Sequence, residues 1–275
     1  MRDKIIRIML IIMIGAGSLQ AVEEIPDDLQ VRLGGYFITS QDTEMRLKGK
    51  NRPGVYLNLQ DLLNMESSTQ VFRLDGYYRF TPHHSLEVSW YSIKNKGRVD
   101  GGVEVPLGDY NLSASGRLDS TFNTDIYKVN YLYSFYHNEQ VELAIGAGLH
   151  VMRFALGFDG EYSFTGIINE DGGGTSDNVA VTAPLPVAGF RVSYKILPEL
   201  RVKYAADYFF IAFDGSTGGL VDTLLTVDYR ITKNFGLGLG VNSTRMRLET
   251  ELESARVLTI NYDIIGGMVY GTLNF

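Results

Sequence analysis

Charged residues recur at alternate positions along several short runs of this chain. Arg32 stands in the first run. Arg73, Asp75 and Arg79 share the next, and Glu87 and Lys128 lie in two more. Glu142 and His150 follow, then Arg191 with Lys195, then Arg201, Lys203 and Asp207, and finally Asp222, Asp228 and Arg230. Both signs are present in near balance. Gathered on one face in a narrow space, such groups must pair, because an unpaired buried charge costs several kcal/mol. Two uses follow. The charges can form a salt-bridged plug, or they can line a narrow polar pore.

Other candidates for chemistry are weaker. His83, His84 and His137 sit in turn-like sequence and read as solvated residues. His150 would need a Ser or Asp within hydrogen-bond reach to act as a general base. Asp207 and Ser243 are the candidates, but no spacing ties either to it. Asp159, Glu161, Glu170, Asp171 and Asp177 form an acidic stretch. Its spacing does not match the twelve-residue calcium loop. Gly236, Gly238 and Gly240 resemble a phosphate loop only superficially, since their period of two with Leu237, Leu239 and Val241 is that of a strand. No catalytic residue, cofactor or metal is assigned.

The elements that would position the charges are strands. Leu29, Val31, Leu33 and Phe37 alternate with Gln30, Arg32 and Tyr36 over residues 29–39. Four short turns are each flanked by alternating runs, the signature of hairpins. They are Thr81-Pro82-His83-His84, His137-Asn138-Glu139-Gln140, Leu197-Pro198-Glu199 and Thr232-Lys233-Asn234. Between them lie longer connections, at about 41–69, 97–121, 159–179, 214–219 and 248–256. Short turns at one end and long loops at the other are the asymmetry of an outer-membrane barrel. Five long and four short connections give an all-β, closed antiparallel transmembrane barrel of about ten strands, with eight or twelve as alternatives. Residues 54–63 and 103–120 are the places where strand above the membrane could be added. The run 57–63 reads equally as a helical turn, a short strand or a loop packed on the barrel mouth.

Composition agrees. The chain has 17 Tyr, 14 Phe and 30 Gly. After the first 21 residues no apolar run approaches the ~20 residues of a membrane helix. Those residues have a basic start (Arg2, Lys4, Arg7), a short apolar run and small residues up to Ala21, the pattern of a secretory signal. Residues 22–28 read as a periplasmic leader and 29–275 as the barrel. The absence of cysteine excludes a disulfide framework. A net charge of −7 argues against nucleic acid as a partner. Tyr78, Phe80, Tyr133, Phe135, Tyr194, Tyr229 and Phe235 border the short turns, where an aromatic girdle would meet the headgroups.

Four stretches carry a resemblance: FRLDGYYRFTPHHSLEVSWYSI (72–93), FNTDIYKVNYLYSFYHNEQVELAIGAGLHV (122–151), TAPLPVAGFRVSYKI (182–196) and the last strand. They resemble a largely uncharacterised family of bacterial outer-membrane β-barrel proteins. The resemblance implies the fold and the bacterial outer membrane, and brings no catalytic residues. The closing strand, 260–275, resembles an assembly signal read by the barrel-assembly machinery through Leu273 and Phe275. It departs from that pattern at Gly271, where a hydrophobic residue is usual, with Tyr270 one step off.

The expected protein is therefore a structural or surface-interaction barrel with a charge-plugged lumen, in contact with outer-membrane lipid and lipopolysaccharide. The alternatives are an outer-membrane enzyme acting on lipid A or peptides, and a narrow solute pore. Deleting Phe275 should lower the amount of protein inserted in the outer membrane, measured in membrane fractions against the full chain. Unchanged insertion would remove the assembly role from this strand.

Overall fold

The computed structural model describes residues 28–49, 54, 56–100, 103–107, 110–166, 172–213, 216–252 and 256–275. The segment 1–21 and most of the leader lie outside the described residues. The chain forms one closed sheet. Ten long strands build it: β1 (Leu29–Lys48), β3 (Thr69–Thr81), β4 (His84–Val99), β6 (Tyr110–His137), β7 (Val141–Gly166), β8 (Gly172–Leu197), β9 (Leu200–Phe213), β10 (Ser216–Arg230), β11 (Phe235–Leu252) and β12 (Arg256–Asn274). Two short strands, β2 (Leu57–Asn58) and β5 (Val103–Leu107), and one helical turn, α1 (Leu59–Leu62), lie beyond the end of β3 and between β4 and β6. Each long strand pairs antiparallel with the next, and β12 returns to β1.

Closure runs from Gln30 opposite Asn274 to Lys48 opposite Val257. Its lower end is tied by the Phe275 N–H to the Leu29 carbonyl at 2.9 Å and by the Leu29 N–H to the Phe275 carbonyl at 3.3 Å. All four short turns fall where the alternation places them. The apolar residues of each run face outward: Leu33, Phe72, Trp90, Tyr127, Val129, Ile145, Tyr208, Leu225, Leu239 and Val269 are all exposed. A continuous exposed apolar surface of this kind fits a lipid belt. The alternate residues turn inward. Gly236 and Gly238 are inward residues of β11, and a methyl at Gly238 would stand 2.3 Å from the Tyr270 ring.

The outer ends depart from the sequence reading. Most of the stretches taken as long loops are strand. β6 has 28 residues and β7 and β8 have 26 each, whereas β9 has 14 and β10 has 15. At ~3.4 Å per residue and a tilt near 45°, β6 rises roughly 65 Å, against a belt of about 25 Å. Above the belt no lipid selects an apolar face, so the hydrophobic period fades while the backbone ladder continues. The acidic stretch from Glu161 to Asp177 lies outside the residues whose side chains are described.

β3 is short, which leaves a gap in the wall between β1 and β4. The ambiguous run 57–63 fills it as both a short strand and a helical turn. β2 pairs with Glu44 and Met45 of β1. Asn58 caps α1 by accepting from the Asp61 N–H at 3.0 Å. Gln60 is buried and accepts from the Thr43 N–H at 2.9 Å. Met65 bridges to Gly97 of β4. Any side chain at Gly97 would strike the Leu63 carbonyl, 2.1 Å from its Cβ position.

Leu239 faces outward low in β11, near the middle of the belt. Leu239→Arg should cost about 2–4 kcal/mol in reversible unfolding from lipid vesicles. A loss well below that would mean this face does not meet hydrocarbon.

Candidate functional site

The inward charges converge in the lower half of the barrel as four linked groups. At the periplasmic end, Arg79 of β3 donates to both oxygens of Glu142 on β7, at 2.7 and 2.8 Å, and Ser134 donates to the same carboxylate at 2.8 Å. Next, Asp228 of β10 accepts from Tyr270 at 2.6 Å and meets Lys203 at 3.3 Å and Arg32 at 3.6 Å. Arg32 and Lys203 also donate to Gln30, whose amide donates to Asn274 at 2.7 Å.

Asp207 and Asp222 face each other across β9 and β10. Like charges in that position repel, and each is neutralised from elsewhere. Arg191 donates to both oxygens of Asp207 at 2.7 and 3.1 Å and to Glu87 on β4 at 2.9 Å. His150 lies 3.2 Å from Asp207, and Asn130 donates to the same oxygen at 3.3 Å. Lys128 crosses the lumen from β6 to Asp222 at 2.5 Å. Asn242 and Thr244 donate to the other Asp222 oxygen. Asn242 in turn accepts from Arg73, which pairs with Asp75 at 3.0 Å.

Arg73 packs over the rings of Tyr36 and Tyr91, at 5.6 and 4.9 Å, in cation–π geometry. From these rings upward an apolar cluster enters the lumen, with Gln41, Thr43, Asn95, Thr124 and Thr259 buried among it. Tyr36, Tyr91, Ile93, Ile126, Met152, Leu185, Leu220, Tyr262 and Ile264 are buried in one cluster, with Leu59 and Leu63 of the inserted segment above them. Below the charges the lumen is open. A cavity of about 1020 Å³ reaches from the Lys128–Asp222 level down to the short turns, and Lys195, Arg201 and Arg230 stand among its walls.

Most charges predicted from alternation thus meet a partner of opposite sign, and Arg230, Lys195 and Arg201 are also among the residues that line the cavity. Sequence reasoning missed Asn130, Asn242, Thr244 and Gln30. Their inward parity was legible, but neutral polar residues draw no attention until a charge reaches them. It also missed the apolar layer, because Tyr36, Ile93 and Ile264 carry no mark of the level at which they stand.

One candidate partner of His150 is corrected, with His150 itself buried in the lumen on β7. Ser243 is on the outward face of β11 beside the buried Asn242, so it cannot serve His150. His150, Asp207 and Asp222 offer ligand atoms within 4.8 Å of one another. Lys128 and Arg191 already supply the positive charge that the two carboxylates require. The other three histidines lie in the periplasmic turns, with His84 hydrogen-bonded to Tyr131 and His83 to the Ser134 carbonyl. Well above the belt, the Asp119 carboxyl is held below the usual carboxylate range by hydrogen bonds from Arg98 and Arg117, at 2.7 and 2.8 Å.

The fold is that of bacterial outer-membrane β-barrel proteins. The outer membrane protease OmpT from Escherichia coli superposes with a TM-score of 0.61 at 11% identity, over 94% of this chain and all of that one. OprG from Pseudomonas aeruginosa gives 0.37 at 11% identity, over 90% and 95% of the two chains. Ail, the attachment invasion locus protein of Yersinia pestis, gives 0.31 at 12% identity, over 88% and 99%. At such identities the likeness shows the fold alone. No family model matches the sequence, and no curated protein matches it.

Breaking the Lys128–Asp222 pair should cost more than replacing it. Lys128→Met leaves a buried carboxylate with its cation gone and should lose about 3–5 kcal/mol of unfolding free energy. Lys128→Met combined with Asp222→Leu should recover much of that loss. A single variant as stable as the parent would show that the pair is not desolvated.

Proposed function

We propose that this protein is an integral outer-membrane barrel, closed to solutes, that works through the wall it raises above the membrane. The closed lumen carries the reading. An interior of paired charges is capped by a buried aromatic and aliphatic layer, and the 57–65 segment is seated on top. Charges alone would leave a wet path between the pairs. Tyr36, Tyr91, Ile93, Tyr262 and Ile264 bury their bulk in the layer above, among the buried polar residues Gln41, Thr43, Asn95 and Thr124.

The raised part is one-sided. β6, β7 and β8 stand far above β9 and β10, with β5 paired to the outer end of β6. A tall sheet on one side of a sealed barrel suits contact with another surface. The enzyme weighed from the sequence would need a Ser/His/Asp cluster at the outer rim, and none of the four histidines stands there. His150 is buried beside Asp207 inside the barrel. Export by residues 1–21, assembly through Leu273 and Phe275, and contact with lipopolysaccharide belong to the same proposal. Leu273 and Phe275 both lie on the exposed outer face, as a peptide-binding signal requires.

In planar bilayers the purified protein should give no single-channel steps. A Tyr36→Ala/Tyr262→Ala variant, which empties the apolar layer, should give them. Regular steps from the parent protein would replace this reading with the pore.

A further inference from the structure

The wall has a second gap. Pairing between β8 and β9 ends at Ala188 opposite Tyr208. Beyond that point β8 continues on β7, through Pro184 opposite Val151 and onward. β9 continues on β10 as far as Phe213 opposite Ser216. Two paired sheets therefore part company. Whereas 57–65 fills the gap between β1 and β4, no backbone pairing joins β8 to β9 above Ala188 among the described residues.

The edge of β8 along this gap is unusual. The Lys195 N–H donates to the Gln140 carbonyl at 2.8 Å, so odd-numbered residues of β8 point their backbone groups toward β7. The β7–β8 register does not shift between Tyr194 and Ser176. Even-numbered residues thus point toward β9, and Pro184 and Pro186 are both even. Proline has no N–H. The edge offers carbonyls at two successive ladder positions where it offers no donor. Such an edge cannot template an added strand, which excludes a β-partner, whether from another protein or from a second copy.

The rims are apolar. Pro184 and Pro186 face outward, and Phe210 across the gap is 79% exposed, more than any other large apolar residue described. Ala183, Leu185 and Val187 turn inward into the buried cluster, with Phe209 packed against it. Ala188 stands about ten residues above the Pro198-Glu199 turn, the length with which a strand crosses the bilayer. The gap therefore opens at the outer edge of the belt.

We propose that this gap seats one outer-leaflet lipid, its acyl chain between the Pro184–Pro186 edge and Phe210. The inference rests on the membrane reading above. The acyl chain takes the prolyl rings and Phe210, and a headgroup bearing hydroxyl or ammonium hydrogens supplies the Pro184 and Pro186 carbonyls with the donors they need.

Fluorescence tests this with the full chain. Trp90→Phe removes the single tryptophan, and Phe210→Trp places a reporter in the gap. Leu239→Trp, on β11 two strands away and in the middle of the belt, is the control. Delipidated protein in detergent is titrated with phosphatidylethanolamine brominated on its acyl chains. Quenching at position 210 should saturate at one lipid per chain, while position 239 shows only a shallow rise with lipid fraction. Pro184→Val/Pro186→Val in the reporter background, which restores the donors, should weaken the saturating binding several-fold. Parallel, unsaturated quenching at both positions would show ordinary annular lipid and overturn the site. No quenching at either would overturn the membrane reading along with it.

Discussion

A β-sheet in hydrocarbon has no water to satisfy its edges, so it must have none. The pairing of β1 with β12 meets that condition, and the rest of the chain is arranged around it. It fixes which way every strand runs, puts all four short turns at one end, and decides which parity faces lipid. Gly238 is part of the same requirement. It leaves room for the Tyr270 ring to lie against β11 inside the closed wall, where its hydroxyl reaches Asp228. Tyr270, which breaks the usual pattern of a closing strand, does so because it serves the lumen and not the belt.

Closing ten strands creates an interior that must then be filled. This chain fills it in layers of different chemistry. The charged layers bind strands that are not neighbours in the sheet: β6 to β10 through Lys128–Asp222, β8 to β4 through Arg191–Glu87, and β3 to β7 through Arg79–Glu142. Such pairs add little net stability over an apolar filling of the same shape. What they add is direction, since each charge accepts few partners and so fixes which wall faces which. The cluster above adds apolar packing. Its lowest rings, Tyr36 and Tyr91, touch both layers by packing against Arg73.

Much of this was legible in the sequence, for a physical reason. Inside the belt one face meets lipid and the other meets the lumen, so period two is imposed on every strand. Phe72 to Phe80 and Tyr127 to Phe135 show it plainly. The ten-strand count, the four hairpins and the inward list of charges all follow from that alternation. Beyond the belt the constraint lapses. Residues 216–219 form strand with no apolar stripe and read as a loop, whereas 103–120 read only as a place where strand could be added above the membrane. Pairing across the lumen was likewise invisible, since parity gives the face of a residue but not its height or its distance from the opposite wall. Lys128 and Asp222 are 94 positions apart, and only closure brings them together.

The two gaps in the wall show how the same rules act where the belt ends. Below Ile38 and Ala188 each strand needs two neighbours, and each has them. Above those levels water satisfies a free edge, and strands are released to differ in length. β1 uses that freedom to bulge between Ile38 and Ser40 and then to receive the 57–65 segment, whose Gln60 and Asn58 bond to Thr43 and Asp42. β8 uses it differently. Two prolines are incompatible with a central strand, and they stand where β8 has lost its β9 partner and keeps β7. Their place in the chain marks the height at which the barrel stops being a barrel, and the tall wall of β6, β7 and β8 begins as an open sheet.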